Sequence, residues 1–215
     1  MNYLQLVNDF FIETDAHPVV TTLTGPTLED DTEKAKVRIR DAWLEIQRKR
    51  NWNFRWAVDT FTTVASQRIY TLTDLGRVAG DDIVLDEMYL QDGTIPFGVI
   101  NWRSTIGIYT QGTPLHVGER PDEALVLDPI PDAAYSIIYE YYRAPQVLVT
   151  DTDEPYMSPE FHKAIVWLAI KNYAREQGNE WRSLYEQARL EFANAYTDIL
   201  NHYYPMLATY RSLIS

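Results

Sequence analysis

The hydrophobic period of this chain changes twice along its length, and this change constrains the fold more than any other feature. Near both ends, apolar residues recur every three or four positions, which is the period of a helix with one buried face. Between about residues 57 and 145 the period shortens to that of strands, and turn residues separate the short runs. The pattern therefore predicts an α+β protein with helices at its ends rather than an alternating α/β one.

Four helices are predicted from the apolar stripes and from the residues that flank them. Their predicted bounds are Tyr3 to Glu13, Thr27 to about Asn53, Ser158 to Gly178, and Asn179 to Tyr204. Ser158 is the expected N-cap of the third helix, because Pro159 follows it at the first helical position. Gly178 is the expected end of that helix, since glycine tolerates the backbone conformation found there.

The central region predicts short strands. They are Val58–Val64, Arg68–Leu72, Asp82–Leu90, Ile95–Ile100, Ile106–Tyr109, Leu115–Val117, Leu125–Leu127 and Ser136–Arg143. Asp92-Gly93 predicts a two-residue hairpin turn, because that turn needs positive φ. Pro129 and Pro131 are assigned to a connection, since proline cannot lie inside a central strand. Strands of this number and length are expected to close as a small antiparallel sandwich or barrel.

The layout predicts one discontinuous helical bundle with an inserted β-module. The bundle is assigned to residues 1–56 and 146–204, the module to 57–145, and a C-terminal extension to 205–215. Neither pair of helices is large enough to be stable alone, so the two ends are expected to pack together. The extension is largely apolar with one charge, so it either folds back on its own domain or docks into another protein.

Composition excludes several classes of protein. The 215 residues include no cysteine, which excludes disulfides, thiolate metal sites and cysteine nucleophiles. The formal net charge of −12 disfavours a nucleic-acid clamp, because such binding is driven by neutralisation of phosphates. The chain has no apolar run of the roughly 20 residues that cross a bilayer, and it begins without the basic segment of a signal peptide. We expect no membrane partner.

The sequence carries no recognisable catalytic, cofactor or metal motif. It lacks the phosphate-binding and dinucleotide-binding glycine patterns and the serine nucleophile elbow. Asp151-x-Asp153-Glu154 lacks the later ligands of a calcium loop and is interpreted as an acidic linker. No catalytic residue, cofactor or metal is predicted. A hydrolase with two carboxylates stays open, because their separation is visible only in three dimensions.

Two aromatic-rich segments could bind a partner. Arg48–Trp56 interleaves basic and aromatic residues, as a site for single-stranded nucleic acid would. The favoured interpretation is a helix C-terminus followed by aromatics that turn into the core, because the rest of the chain is acidic. In the last predicted strand, Tyr139 and Tyr141 share one face and Tyr142 lies on the other. That strand is expected to pack against two layers, or against one layer and a partner.

Several blocks of sequence, taken in order, resemble a known family. They are YLQLVNDFF, VRIRDAWLEIQRKRNWNFRW, TTVASQRIYTL, TPLHVGERPDEALVLDPIPDAAYSIIYEYYRAP and PEFHKAIVWLAIKNYA. The last block leads into the final long helix, so the resemblance covers the chain from Tyr3 to about Tyr204. In this set the chain resembles the head–tail adaptor (connector, or head completion) proteins of tailed bacteriophages. The segment between Asp15 and Leu28 matches none of the blocks.

The resemblance implies a non-enzymatic structural protein of the virion, made in the host bacterial cytoplasm and located at the head–tail interface. Such adaptors form a ring, commonly of twelve subunits, that joins the portal to the tail and extends the DNA channel. The implied partners are other copies, the portal protein and tail or nozzle proteins, with transient passage of double-stranded DNA without specific binding. The candidate portal-binding residues in the extension are Met206, Leu207, Tyr210, Leu213 and Ile214.

The main alternative is a ligand- or carbohydrate-binding β-module of a phage tail-associated protein, with Trp102, Tyr109 or Tyr89 as stacking platforms. A ring subunit, in contrast, needs two different patches that meet on rotation. It also needs a channel that does not retain DNA. Residues 56–150 include 13 acidic and five basic side chains, a net −8, so this region is the candidate source of an acidic lining.

Overall fold

The structure is a computed structural model that describes residues 1–15, 20–23, 30–90 and 95–204. It divides into two compact units. The helical unit comprises Met1–Phe54 and Pro145–Ser215, and the β unit comprises Arg55–Ala144. The fold is α+β with helices at both ends of the chain, as the hydrophobic period predicted. In the part of the chain that the structure describes, no helix is both long enough and apolar enough to span a membrane.

The described part of the helical unit contains four α-helices. They are α1 (Tyr3–Thr14), α2 (Asp30–Arg48), α3 (Lys163–Gln177) and α4 (Arg182–Tyr203). α1 begins with a capping box. The Asn2 side chain accepts a hydrogen bond from the Gln5 backbone N–H at 2.9 Å, and the Gln5 side chain accepts one from the Asn2 backbone N–H. α3 ends at Gly178, where φ is +89°, as predicted. The predicted start of the second helix at Thr27 lies outside the described residues.

The start of the third helix differs from the prediction. A 3-10 turn spans Pro159–Phe161, and the regular helix begins only at Lys163. The Ser158 side chain makes no capping hydrogen bond; its hydroxyl instead lies 3.2 Å from the Glu160 carboxylate. Proline at the first position favours a turn, but without a cap the first turn tightens to the 3-10 form.

The core of the helical unit is built around α3. Consecutive residues Ala164, Ile165 and Val166 are buried, so this helix is covered on more than one side. It packs against α1, α2 and α4. Trp43 and Trp52 are fully buried in the same core, and Phe10 meets Tyr173 edge to face at 5.6 Å.

The acidic segment at residues 151–154 is a structural linker, as interpreted from the sequence. Its backbone carbonyls at Asp153 and Asp151 accept the N–H groups of Tyr3 and Leu4 at 2.8 and 3.2 Å. These are donors that the first turn of α1 cannot satisfy itself. The Asp153 carboxylate caps its own turn, and the hydrogen bond from the Thr150 hydroxyl is the first reason why its pKa is lowered.

Within its described residues, 55–90 and 95–144, the β unit contains nine short strands. They are β1 (Trp56–Thr62), β2 (Ile69–Tyr70), β3 (Asp82–Leu90), β4 (Gly98–Val99), β5 (Gln111–Gly112), β6 (His116–Glu119), β7 (Leu125–Asp128), β8 (Ile130–Pro131) and β9 (Ser136–Tyr142). Sheet 1 has the order β1-β9-β3, sheet 2 the order β2-β7-β6-β4, and sheet 3 pairs β5 with β8.

Sheets 1 and 2 share one hydrophobic core. Sheet 1 contributes Phe61, Met88 and Tyr139, and sheet 2 contributes Val117 and Leu127. In the described residues no barrel forms, because β1 pairs only with β9 and remains an edge strand of sheet 1. The end of β3 is also bridged, through Tyr89 and Pro96, to the segment ahead of β4. The expectation of a barrel was therefore wrong, while two sheets around one core agree with the sandwich alternative. The module is also not wholly antiparallel, since β4–β6 and β5–β8 are parallel pairs.

Three local predictions in the β unit can be compared with the structure. Ile106–Tyr109 is not a strand but part of a loop, and Gly107 there has a φ of +82°. Pro131 lies in β8 rather than in a connection, although β8 has only two residues. The Asp92-Gly93 turn lies outside the described residues. Tyr139 and Tyr141 share one face as predicted, which lies in the core, and Tyr142 lies on the opposite, half-exposed face of β9.

Candidate functional site

Sheet 1 has one face in the core and a second face that nothing in the described chain covers completely. This open face consists of residues that alternate with the core residues on the three strands. They are Trp56, Val58, Thr60, Asp82, Val84, Tyr89, Ile138, Glu140 and Tyr142. Trp56 is 42% exposed and Val58 49%, whereas Phe61 on the other face of the same strand is buried. Exposed apolar side chains in such a cluster are typical of a contact surface.

The charge of the open face is acidic. None of its three strands contains lysine or arginine. Glu140 lies on the central strand and accepts a hydrogen bond from the Trp56 indole at 2.6 Å. The Tyr89 hydroxyl donates to Glu87, which raises the pKa of Tyr89, and the charge of Glu140 adds to that effect. A partner for this face would therefore bring apolar groups and a cation.

A second exposed apolar patch lies on the loop of residues 101–110, which we call the 101–110 loop. Ile106 is 67% exposed, Ile108 44% and Tyr109 79%. The loop begins with a 3-10 turn, Trp102–Thr105, whose Arg103 N–H donates to the Asn101 side chain at 3.0 Å. Its only charged residue is Arg103, which is exposed.

The 101–110 loop is held in place at both ends. A Cβ added at Gly118 would lie 2.8 Å from the Ile100 carbonyl oxygen and 3.0 Å from the Trp102 nitrogen. The start of the loop therefore packs directly on the backbone of β6. Near its other end, the Ile108 carbonyl accepts a bond of 2.7 Å from Arg68, which also pairs with Asp128.

The three predicted stacking platforms are not brought onto one surface. Tyr89 lies on the open face of sheet 1, whereas Trp102 lies against sheet 2. The guanidinium carbons of Arg103 and Arg120 lie 4.9 and 5.9 Å from the centre of the Trp102 ring. A depression of about 590 Å³ lies beside this ring, and burial raises the pKa of Glu119 on its wall. Tyr109 alone projects freely into solvent.

The predicted portal-binding residues, Met206 to Ile214, lie outside the described residues. The structure does show how the chain is anchored just before them. The Tyr203 hydroxyl accepts the Ser158 N–H at 2.8 Å, and the Tyr203 carbonyl accepts from Asn53 at 2.9 Å. The Tyr204 hydroxyl donates to the Asn51 carbonyl. The end of α4 is therefore hydrogen-bonded to residues 51–53 on one side and to Ser158 on the other.

The basic and aromatic segment Arg48–Trp56 is mainly structural, as the favoured interpretation held. Trp52 is fully buried, stacks on Phe54 at 5.5 Å, and donates from its indole to the Ile46 carbonyl at 2.7 Å. Arg55 is also buried, and its Nε donates to the Arg143 carbonyl. The aromatic side chains that could stack bases are mostly used in the core.

No cluster of three or more possible metal ligands occurs in the described ranges. Of the surfaces described above, sequence reasoning identified Tyr142 on the open face but missed Val58 and Glu140. The signal was present in β1, where Trp56, Val58 and Thr60 alternate with more buried residues. Both faces of β1 carry apolar groups, so alternation alone could not indicate which one is open.

An α+β scaffold with exposed apolar patches is typical of a structural protein that acts through contacts with other proteins. The chain matches the model of the SU10 adaptor protein family over residues 1–211, and it belongs to that family. It is therefore a phage structural adaptor and a component of the virion, and its family is of a structural, non-enzymatic kind. The resemblance found in the sequence is confirmed at this level. A comparison with curated proteins found no match.

Proposed function

We propose that this chain is a ring subunit that joins the portal to the tail at the head–tail interface and extends the DNA channel. The observation that carries the proposal is the match to the SU10 adaptor protein family over nearly the whole chain. The proposed partners are further copies, commonly twelve in the ring, the portal protein, and tail or nozzle proteins. Synthesis in the host bacterial cytoplasm precedes assembly.

The two units of the proposed ring subunit contact different partners. The helical unit and the 205–215 extension contact the portal, and the β unit contacts the tail. The anchoring of Tyr203 and Tyr204 supports this, because it gives the extension a fixed point of departure. Met206, Leu207, Tyr210, Leu213 and Ile214 are the proposed portal-binding residues.

Passage of DNA without specific binding follows from charge. Twelve copies, each with a net charge of −12, have a combined formal charge of −144. The β unit, residues 55–144, carries 13 acidic and six basic side chains and is the proposed source of an acidic lining. At physiological salt such a lining repels phosphates over about 8 Å, one Debye length. A ring of this kind guides the duplex without holding it.

The main test is negative-stain microscopy of the chain with and without the purified portal of the same phage. A double ring, with the adaptor stacked on the portal, is the expected result. A chain that remains monomeric in the presence of portal contradicts the proposal.

The role of the extension is tested by replacing its five apolar residues with serine in one variant. The circular dichroism spectrum should be unchanged, and portal binding should be lost. A variant with Ser212→Ala and Thr209→Ser in the same extension is the control and should bind normally. Loss of helical signal in the five-serine variant would instead show that the extension packs on its own core.

The alternative function, a ligand- or carbohydrate-binding β-module, is supported only by the exposure of Tyr109. Glycan-array binding by a monomeric chain, lost in Tyr109→Ser, would favour it. A chain that forms rings on the portal and binds no glycan would exclude this role for Tyr109.

A further inference from the structure

The two apolar patches of the β unit lie on opposite sides of it. Val117 of β6 points into the core that sheets 1 and 2 share, so the next residue, Gly118, points outward. The start of the 101–110 loop packs on that outward side of Gly118. The open face with Val58 and Glu140 is the outer side of sheet 1. The open face therefore lies on the outer side of sheet 1, and the 101–110 loop lies on the outer side of sheet 2.

The two patches also complement each other in charge. The open face is acidic: Glu140 on β9 is paired with Val84, Asp82 on β3 is paired with Tyr142, and its strands contain no lysine or arginine. The 101–110 loop has Arg103 as its only charge, next to the exposed Ile106, Ile108 and Tyr109. Apolar groups with one cation match an apolar face with central carboxylates.

We propose that the 101–110 loop of one copy docks on the open face of sheet 1 in the next copy, with Arg103 near Glu140. This inference rests on the proposed ring and assigns the surfaces that close it. Two different patches on opposite sides of a subunit make a head-to-tail contact, which forms a ring when the rotation closes. A second copy is favoured over another partner because both complementary surfaces are present on the same chain.

Cysteine cross-linking tests this pairing directly, because the chain has no native cysteine. Ser104→Cys and Val58→Cys are combined in one chain, both at exposed positions. Mild oxidation of rings assembled on the portal should give a ladder of covalent oligomers. Each single variant should give no covalent dimer, since a head-to-tail contact does not bring identical residues together. Ser104→Cys combined with Ile12→Cys, exposed in the helical unit, is the matched control and should also give none.

Charge reversal supplies an independent measurement. Arg103→Glu should raise the concentration needed for half-maximal ring formation on the portal by roughly tenfold, as should Glu140→Lys. The double variant should recover to within about threefold of the original chain, because the pair is restored with opposite sign.

The possible outcomes separate this inference from the proposed function. Rings that form normally on the portal but give no ladder, and show no rescue in the double variant, overturn the pairing and leave the ring subunit intact. A failure of the unmodified chain to form rings overturns the proposed function and the pairing with it.

Discussion

The two units of this protein use their apolar residues differently. The helical unit places its largest side chains, including Trp43 and Trp52, in its own core. Among the described residues, eleven exposed large apolar side chains lie in the β unit and six in the helical unit. One unit is therefore stabilised mainly by its interior, whereas the other keeps apolar surface for contacts with other proteins. This difference indicates where folding and assembly can be perturbed separately.

The sharpest test of this contrast compares two tryptophans that are four positions apart. Trp52→Ala removes a fully buried ring and its hydrogen bond to Ile46, so the helical unit should lose about 3–5 kcal/mol of stability. Denaturant unfolding followed by helical circular dichroism measures the loss.

Trp56→Ala is the matched control, because Trp56 is 42% exposed on the open face. Its free energy of unfolding should change by less than about 1 kcal/mol, while ring formation on the portal weakens. Equal destabilisation by both variants would remove the distinction between an interior and a contact tryptophan.

A smaller loss of stability is expected when Gly118, whose backbone supports the 101–110 loop, is replaced by alanine. Gly118→Ala would place a methyl group 2.8 Å from the Ile100 carbonyl oxygen, a backbone atom that cannot move alone. The β unit should lose about 1–3 kcal/mol, the usual cost of overpacking. Gly112→Ala is the control, since its nearest neighbour is a Pro129 side-chain atom at 3.8 Å. If thermal unfolding of the two variants is the same, the loop does not rest on β6 as described.

The helical unit should also respond to pH through His162. This side chain is fully buried, its Nε2 lies 2.8 Å from the Met157 carbonyl, and burial lowers the pKa of the imidazole below 6.5. As the pH falls, His162 is therefore protonated in the unfolded chain before it is protonated in the folded chain. The free energy of unfolding therefore falls as the pH decreases below about 6.5, by at most about 1.4 kcal/mol per pH unit.

His162→Gln should remove that pH dependence, and the exposed His202→Gln should retain it. Urea unfolding at several pH values between 5 and 8 measures both. A stability that rises as the pH falls through this window would contradict the assignment, because it would mean that the folded chain favours the charged imidazole.

The smallest effect on stability is expected from the apolar patches themselves. Val58→Ser and Tyr109→Ser together should change the free energy of unfolding of the β unit by about 0.5 kcal/mol or less, because both side chains are exposed. The same variant should form few rings on the portal. Substantial unfolding of the monomer would show that these residues support the fold rather than the assembly.

Sequence periodicity predicted the helical unit well because its signal is local. The stripes of α1 and α4 and the end of α3 at Gly178 follow directly from residue spacing. Asp82–Leu90 was also predicted with the bounds that the structure shows. The parallel pairing of β4 with β6 and of β5 with β8 could not be predicted, since it joins segments without a local pattern.

The error at Ile106–Tyr109 has a physical reason that also explains why the contact surface was missed. An apolar run in a sequence indicates burial, but burial in the subunit and burial against another copy give the same pattern. Here Ile106 and Tyr109 are exposed in the single chain, and Gly107 breaks the extended conformation. The acidic composition, in contrast, correctly indicated that the aromatic side chains of Arg48–Trp56 belong mostly to the core.

The junction of the β unit with the rest of the chain has a further consequence. Arg143 donates its N–H to the Arg55 carbonyl at 2.8 Å, and β1 begins opposite the end of β9, with Trp56 paired to Tyr142. The polypeptide thus enters and leaves this unit through neighbouring positions on two paired strands, about 5 Å apart. A short linker could join these two positions, so the β unit is suited to removal or insertion as one module.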